Sequence, residues 1–323
     1  MSRSRTQVGS CKTDRVKTQP IPGTDLTTTR LAYGCMRIAG TWNPAELTPA
    51  RRENAHACLI AAYEAGYTLF DHADIYGRGI CESLHGEVMK QIPSMRKDIV
   101  IATKGGIRFR DEPPGTVNRY DFSYEHLIEA CEGSLKRLGI ETIDIYQLHR
   151  PDVLMDPDEI CRAFERLHGE GKVRYFGVSN FTPSYVETLQ KALPFKLVVN
   201  QVEISLARLD CFYDGTLDQC LRDKLTPLSW SPLGGGWLSE RAQVEEEKQK
   251  RLLEEMDAVA AIYGFDRSTL ALAWLLKHPS HIVPIVGSAD AARIKWAIQA
   301  DEVELTREDW YRLLVAAQGH PMP

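Results

Sequence analysis

The sequence has no unbroken apolar run of about 18 residues or more, the length a membrane-crossing helix needs, so no transmembrane segment is expected. Its eight cysteines, at 11, 35, 58, 81, 131, 161, 211 and 220, form no CxxC pair. A chain of 323 residues can bury a core without disulfide staples. Reduced thiols in a cytoplasmic protein are therefore the expectation. Nine histidines include no HxH or HExxH spacing. That argues against a dedicated metal, and so against a metal-dependent hydrolase using Asp71, His72 and His149. No GxGxxG follows an early apolar run: Gly105-Gly106 lacks the spacing and Gly234-Gly235-Gly236 comes too late. No Pro/Gly/Ser linker divides the chain. The net charge of -5 gives no reason to expect nucleic acid or an anionic membrane as partner.

What remains reads as a globular chain, 43% hydrophobic and 26% charged. Residues 1–20 are basic and polar, without the apolar core of a secretory signal, and are expected to be a flexible tail before a single domain at 21–323. From residue 31 onward, short apolar runs alternate with helix-length segments. The runs are LAYGC, YTLFD, DIVIATK, IDIYQLH, VRYFGVSN, KLVVNQVEIS, TPLSWSPLG and HIVPIVGS. They are apolar nearly throughout, as parallel strands covered on both faces should be. Thr48-Pro49, Asp156-Pro157 and Thr182-Pro183 each offer an N-cap followed by an N1 proline. Ser123 is predicted to cap a helix whose stripe of Leu127, Cys131, Leu135 and Leu138 ends at Gly139. Residues 240–255, ERAQVEEEKQKRLLEE, read as a solvated helix face. Eight such strands with helices between them predict a closed (β/α)₈ barrel, with an open doubly wound sheet as the competitor.

Polar residues stand where these runs end. Asp71, Lys104 and His149 close the second, third and fourth runs, and Tyr76 follows Asp71 in the next loop. In a barrel, consecutive strand ends are neighbours on the catalytic rim. Each residue alone has a plainer role: Asp71 as a turn cap, Lys104 as a solvated charge, His149 as a core hydrogen-bonder. Together they can move a proton. A phenol with a pKa of about 10 is a reluctant acid. A nearby ammonium is expected to lower that value, and a buried ammonium needs a counter-charge such as Asp71. Tyr76 could then give its proton to a carbonyl oxygen while His149 orients the carbonyl.

At this point the chain resembles the aldo-keto reductases, closest to their bacterial, short-tailed members. The resemblance runs from about residue 20 to 315. It rests on FDHADIYG, IATKGG, YQLHR, FGVSNF, VNQVEIS, WSPLGGG and IVGS followed by an arginine. It implies a (β/α)₈ barrel that binds an extended nicotinamide cofactor without a Rossmann fingerprint. The family's catalytic tetrad would be Asp71, Tyr76, Lys104 and His149. Ser179, Asn180 and Gln201 would bond the nicotinamide carboxamide; on their own they read as helix caps and a buried amide. Trp230 stands where many relatives stack Tyr or Phe on the nicotinamide, and otherwise reads as core. Ser231, Pro232, Leu233 and Gly234 would wrap the pyrophosphate, and Met36 would contact the nicotinamide ribose. Cys35 needs no redox role, and His72 reads as packing or a helix-end hydrogen bond.

Gly287, Ser288 and Arg293 would form the adenosine-phosphate site. Arg293 could pair with a 2′-phosphate, whereas Asp290 in the same turn would repel it. NADP(H) is therefore favoured and NAD(H) stays open. The implied reaction is reversible reduction of an aldehyde or ketone to an alcohol, with no metal. The competing reading is a nicotinamide-binding redox sensor with slow turnover. Arg108, Arg110 and Arg119 in the long loop 105–123 could draw in a polar or anionic substrate, or could simply be solvated. A monomer acting on a small-molecule carbonyl or alcohol is the default.

Overall fold

A computed structural model describes residues 16–323. Eight parallel strands close into a barrel. In chain order they are β1 (Ala32–Gly34), β2 (Leu69–Asp71), β3 (Val100–Gly105), β4 (Ile143–Leu148), β5 (Val173–Ser179), β6 (Leu197–Glu203), β7 (Thr226–Trp230) and β8 (Val283–Val286). Each pairs with its sequence neighbours, and β8 returns to β1. Seven of the eight predicted runs contain their strands and the third, DIVIATK, is overrun by one residue at Gly105; β1 and β2 keep only three residues each.

The apolar runs are explained by burial on two sides. Inside, Leu69, Val100, Ile145, Val199, Leu228 and Val283 pack on one another. Outside, the other faces of the strands pack against the helices. The barrel floor is closed by an antiparallel hairpin, Thr18–Pro20 with Thr27–Thr29, which drives Ile21 and Leu26 into the interior cluster. Part of the stretch expected to be tail is therefore built into the fold: residues 18–20 pair with Thr27–Thr29. The rest of that tail, 1–15, lies outside the described residues.

Thr48 and Asp156 cap the helices Pro49–Glu64 and Pro157–Gly169 as their sequences predict, accepting from Arg51 N and Asp158 N. Ser123 does not. It sits at the N-cap of Tyr124–Leu138, but its hydroxyl is turned to donate to Asp121 Oδ1 at 2.6 Å and accepts from no helix N–H. Thr182 likewise begins Pro183–Ala192 without accepting from a helix N–H, its hydroxyl lying 3.1 Å from Ser184 Oγ. The acidic segment 240–255 is helical only from Glu247, and Leu252 and Leu253 turn inward against the core. At the C-terminus, Trp274 and Trp310 stack with centroids 4.9 Å apart. Each indole N–H donates to the other residue's carbonyl, tying Arg307–Gln318 to Arg267–Leu276.

Candidate active site

The strand register brings the predicted polar residues together. Asp71 ends β2 beside Ala102 of β3, Lys104 of β3 faces Gln147 of β4, and His149 follows the last residue of β4. The His149 N–H donates to Gly105 O, which fixes the exit of the chain. Gly105 is required there, because a Cβ would fall 2.0 Å from the Tyr146 hydroxyl.

Lys104 is fully buried and its ammonium is completely used. Nζ donates to Asp71 Oδ1 at 2.7 Å, to His72 O at 2.7 Å and lies 3.2 Å from the Tyr76 hydroxyl. Asp71 Oδ1 also accepts from Gln201 Nε2 at 2.7 Å. The Tyr76 ring meets His149 edge to face at 5.9 Å and Trp42 at 6.4 Å. Tyr76 and His149 keep 7% and 8% exposure, so they face the cleft while Lys104 and Asp71 stand behind.

Burial pushes the Tyr76 phenol well above the usual tyrosine value, and the Asp71 charge adds to the rise. This corrects the expectation that the lysine lowers it. Burial, helped by the Asp71 charge 2.7 Å from Nζ, outweighs the stabilisation that the ammonium gives a phenolate, so the net direction is up. Lys104 is itself lowered by burial, with Asp71 opposing. Burial, aided by the charges of Lys104 and Arg150, holds His149 well below the usual histidine value. The rim thus presents a protonated phenol and a neutral imidazole, both suited to bonding a carbonyl oxygen.

His72 belongs to a different arrangement. Its Nε2 lies 2.8 Å from His85 Nδ1, and Cys35 Sγ stands within 4.8 Å of these ring nitrogens, all three residues being buried. The spacing is that of a hydrogen bond, since two ligands on one tetrahedral zinc stand about 3.3 Å apart. Burial pushes His85 down to about 3 and lowers His72 further than its usual value as well, so the pair is neutral.

Around the remaining rim, Ser179 and Gln201 are register partners on β5 and β6. Asn180, at φ 61°, donates to Ser179 Oγ at 2.8 Å and accepts from Trp230 Nε1 at 2.9 Å. Gln201 keeps one N–H and its carbonyl oxygen, and Asn180 Oδ1 keeps a lone pair. Those groups suit a primary carboxamide, which both donates and accepts. After β7, Ser231, Gly234, Gly235 and Gly236 all have positive φ, between 50° and 111°. Glycine makes that path accessible and turns backbone N–H groups into an anion-holding loop. Pro232 is buried and Leu233 half-buried within this loop. Met36 is 39% exposed just beyond β1.

After β8, Gly287 and Ser288 are exposed or half-exposed, and Asp290 caps Ala291–Ala297 by accepting from Ala292 N and Arg293 N. Arg293 Nε lies 3.5 Å from Asp290 Oδ2. The Arg241 charge also reaches Asp290, bringing in a cation from the β7 loop that the spacing of motifs does not reveal. Three other residues escaped the sequence reading: His85, Trp42 and Arg150. Only Arg150 carried a signal, as the charge next to His149 in YQLHR.

The aldo/keto reductase family model matches residues 30–315. A 6-dehydroglucose reductase of Novosphingobium aromaticivorans is 43% identical over 299 residues, 91% of this chain and 93% of that protein. The oxidoreductase YdhF of Escherichia coli is 40% identical over 261 residues, covering 80% and 86%. The structure of glycerol dehydrogenase AKR11B4 from Gluconobacter oxydans superposes with a TM-score of 0.82 at 25% identity, covering 95% of this chain and 97% of that one. A barrel with this rim and these relatives belongs to the aldo/keto reductase family, the oxidoreductases that interconvert carbonyls and alcohols with a nicotinamide cofactor.

Proposed function

We propose that the protein is an NADP(H)-dependent reductase of an aldehyde or ketone, working through Asp71, Tyr76, Lys104 and His149. The observation that carries this is the Tyr76 hydroxyl, 3.2 Å from a lysine held by Asp71 and at the mouth of the cleft. When bound, the nicotinamide supplies a hydride to the carbonyl carbon. Tyr76 gives its proton to the oxygen, and the buried ammonium stabilises the phenolate left behind. Neutral His149 donates a hydrogen bond to the same oxygen and orients it. In the oxidative direction, the phenolate takes the alcohol proton.

Ser179, Asn180 and Gln201 would hold the carboxamide, with Trp230 on the nicotinamide face and Met36 at the ribose. Ser231, Pro232, Leu233 and Gly234 would hold the pyrophosphate. Gly287, Ser288 and Arg293 would take the adenosine phosphate, and Arg241 supports the preference for a 2′-phosphate by offsetting Asp290. The relative named 6-dehydroglucose reductase makes sugar-derived carbonyls the first class to try. The test is a panel of aldehydes, ketones and oxidised sugars, with NADPH or NADH consumption followed to steady state and the alcohol product identified. Sustained NADPH oxidation with at least one of them is expected. A single round of oxidation that then stalls, or none, would contradict the enzyme reading.

A further inference from the structure

The arginines around the cleft mouth differ in what holds them. Arg78 pairs with Glu112 at 2.6 Å and covers the Phe109 ring. Arg108 pairs with Asp121 and Glu129. Arg119 donates to Glu112 O and Thr116 Oγ1. The loop that looked like an anion trap in the sequence thus spends two of its charges on its own fold.

Arg150 is different. It directly follows His149 and is half-buried, with its guanidinium 5.5 Å from the Trp230 ring centroid. Among the described residues, no carboxylate oxygen lies within 4.0 Å of it and no acceptor takes its N–H groups. Its charge nevertheless reaches the reacting end of the cleft, where it opposes the rise at Tyr76 and adds to the depression at His149. No protein acceptor fills the donor fork, and stacking on the indole leaves the fork free for a ligand. The fork matches a carboxylate or phosphate in two parallel hydrogen bonds. Apolar side chains also line the mouth: Trp42 is 51% exposed beside Tyr76, and Met36 is 39% exposed.

We infer that Arg150 is a specificity-determining residue that receives an anionic group of the substrate, so that the preferred substrate is a carbonyl compound bearing a carboxylate or phosphate a few atoms from the reacting carbon. The inference rests on the reductase reading above. The carbonyl oxygen lies against Tyr76 and His149, and the anion lies on the next residue along the chain. Rejection of the uncharged analogue follows from the same geometry, because that analogue leaves the guanidinium desolvated and unpaired.

The experiment compares kcat/KM with NADPH for matched pairs: succinate semialdehyde against butanal, and D-glucuronate against D-glucose. The acid is expected to be favoured in each pair. Arg150→Met should cut the acid-to-neutral ratio about 10- to 100-fold, chiefly through the KM of the acid. Arg150→Lys should restore part of that ratio, since it keeps the charge and loses the fork. NADPH affinity, read by fluorescence in the same variants, separates a cofactor role from a substrate role. A ratio that Arg150→Met leaves unmoved overturns the inference, whether both substrates fall equally or NADPH binding alone weakens. If the wild type turns over the neutral aldehydes as well as the acids, the inference fails and the reductase reading stands. If no carbonyl is reduced, both fail.

Discussion

Strand β4 carries a buried acid near one end and leads into the cleft at the other, and the ion pairs at the two ends differ in kind. Near its start, Asp144 is 2% exposed and accepts from Arg174 at 2.8 Å, from Arg96 at 3.0 Å and from the Ile101 N–H at 2.9 Å. At the far end, beside His149, Lys104 and Asp71 form the other pair, with a phenol on the ammonium. The arginines cannot give up a proton, so the first cluster can only hold strands together. The lysine is a compact charge whose burial already lowers its pKa, and it touches a hydroxyl that faces the cleft. A buried ion pair points to chemistry when it includes a group that can change protonation and a neighbour that meets the substrate.

The contrast can be broken by exchanging what each pair loses. Lys104→Met should lower kcat/KM for carbonyl reduction by about 10²- to 10⁴-fold, measured per folded protein, because Tyr76 loses the charge that stabilises its phenolate. Asp144→Asn should leave turnover within about threefold of wild type while costing roughly 2–3 kcal/mol of stability, read by denaturant unfolding. That is less than the ~3–5 kcal/mol of a fully buried pair, since Arg96 and Arg174 are part-exposed. Equal losses of activity from both variants would erase the distinction.

A smaller effect should appear with pH. Burial depresses His72, His85 and His149, so the unfolded chain binds their protons first as acid is added. Stability from these groups is complete above the unfolded value of about 6.5 and is lost as pH falls below it. Asp74, raised to about 8 by burial, works in the opposite direction, but with one proton against those of these three histidines and of His126 and His278, which burial also lowers. Unfolding midpoints should therefore drop between pH 6.5 and 5, and a rise would reverse the sign of the account. The smallest effect is expected at the adenosine end. Arg293→Ala should weaken NADPH several-fold and NADH hardly at all, since Arg293 is exposed and already shares Asp290. Equal affinity of the wild type for the two cofactors would remove the 2′-phosphate assignment.

The barrel was legible because parallel strands buried on both faces leave unbroken apolar runs, and Asp71, Lys104 and His149 stood where those runs stop. Tyr76 needed the chemistry of the other three to stand out from ordinary loop residues. Other features were hidden for definite reasons. The first strand of the floor hairpin, Thr18-Gln19-Pro20, is short and polar and reads as tail. Ser123 fits a capping pattern, yet its hydroxyl is turned toward Asp121 two positions earlier and accepts from no helix N–H. The sign of the Tyr76 shift depends on desolvation and on how closely Asp71 screens Lys104, and both are set only by packing. Arg150 and Arg108 look alike in sequence; only the folded chain shows that one is paired and the other is not.

The most direct test of the central claim is a single-turnover measurement on Tyr76→Phe with NADPH already bound, followed after mixing with an aldehyde that the wild type reduces. Removing the hydroxyl leaves the ring packed and the cofactor contacts intact. The account predicts unchanged NADPH fluorescence on binding and a rate of NADPH oxidation lowered by about 10²-fold or more. Oxidation at the wild-type rate would show that the proton comes from another group.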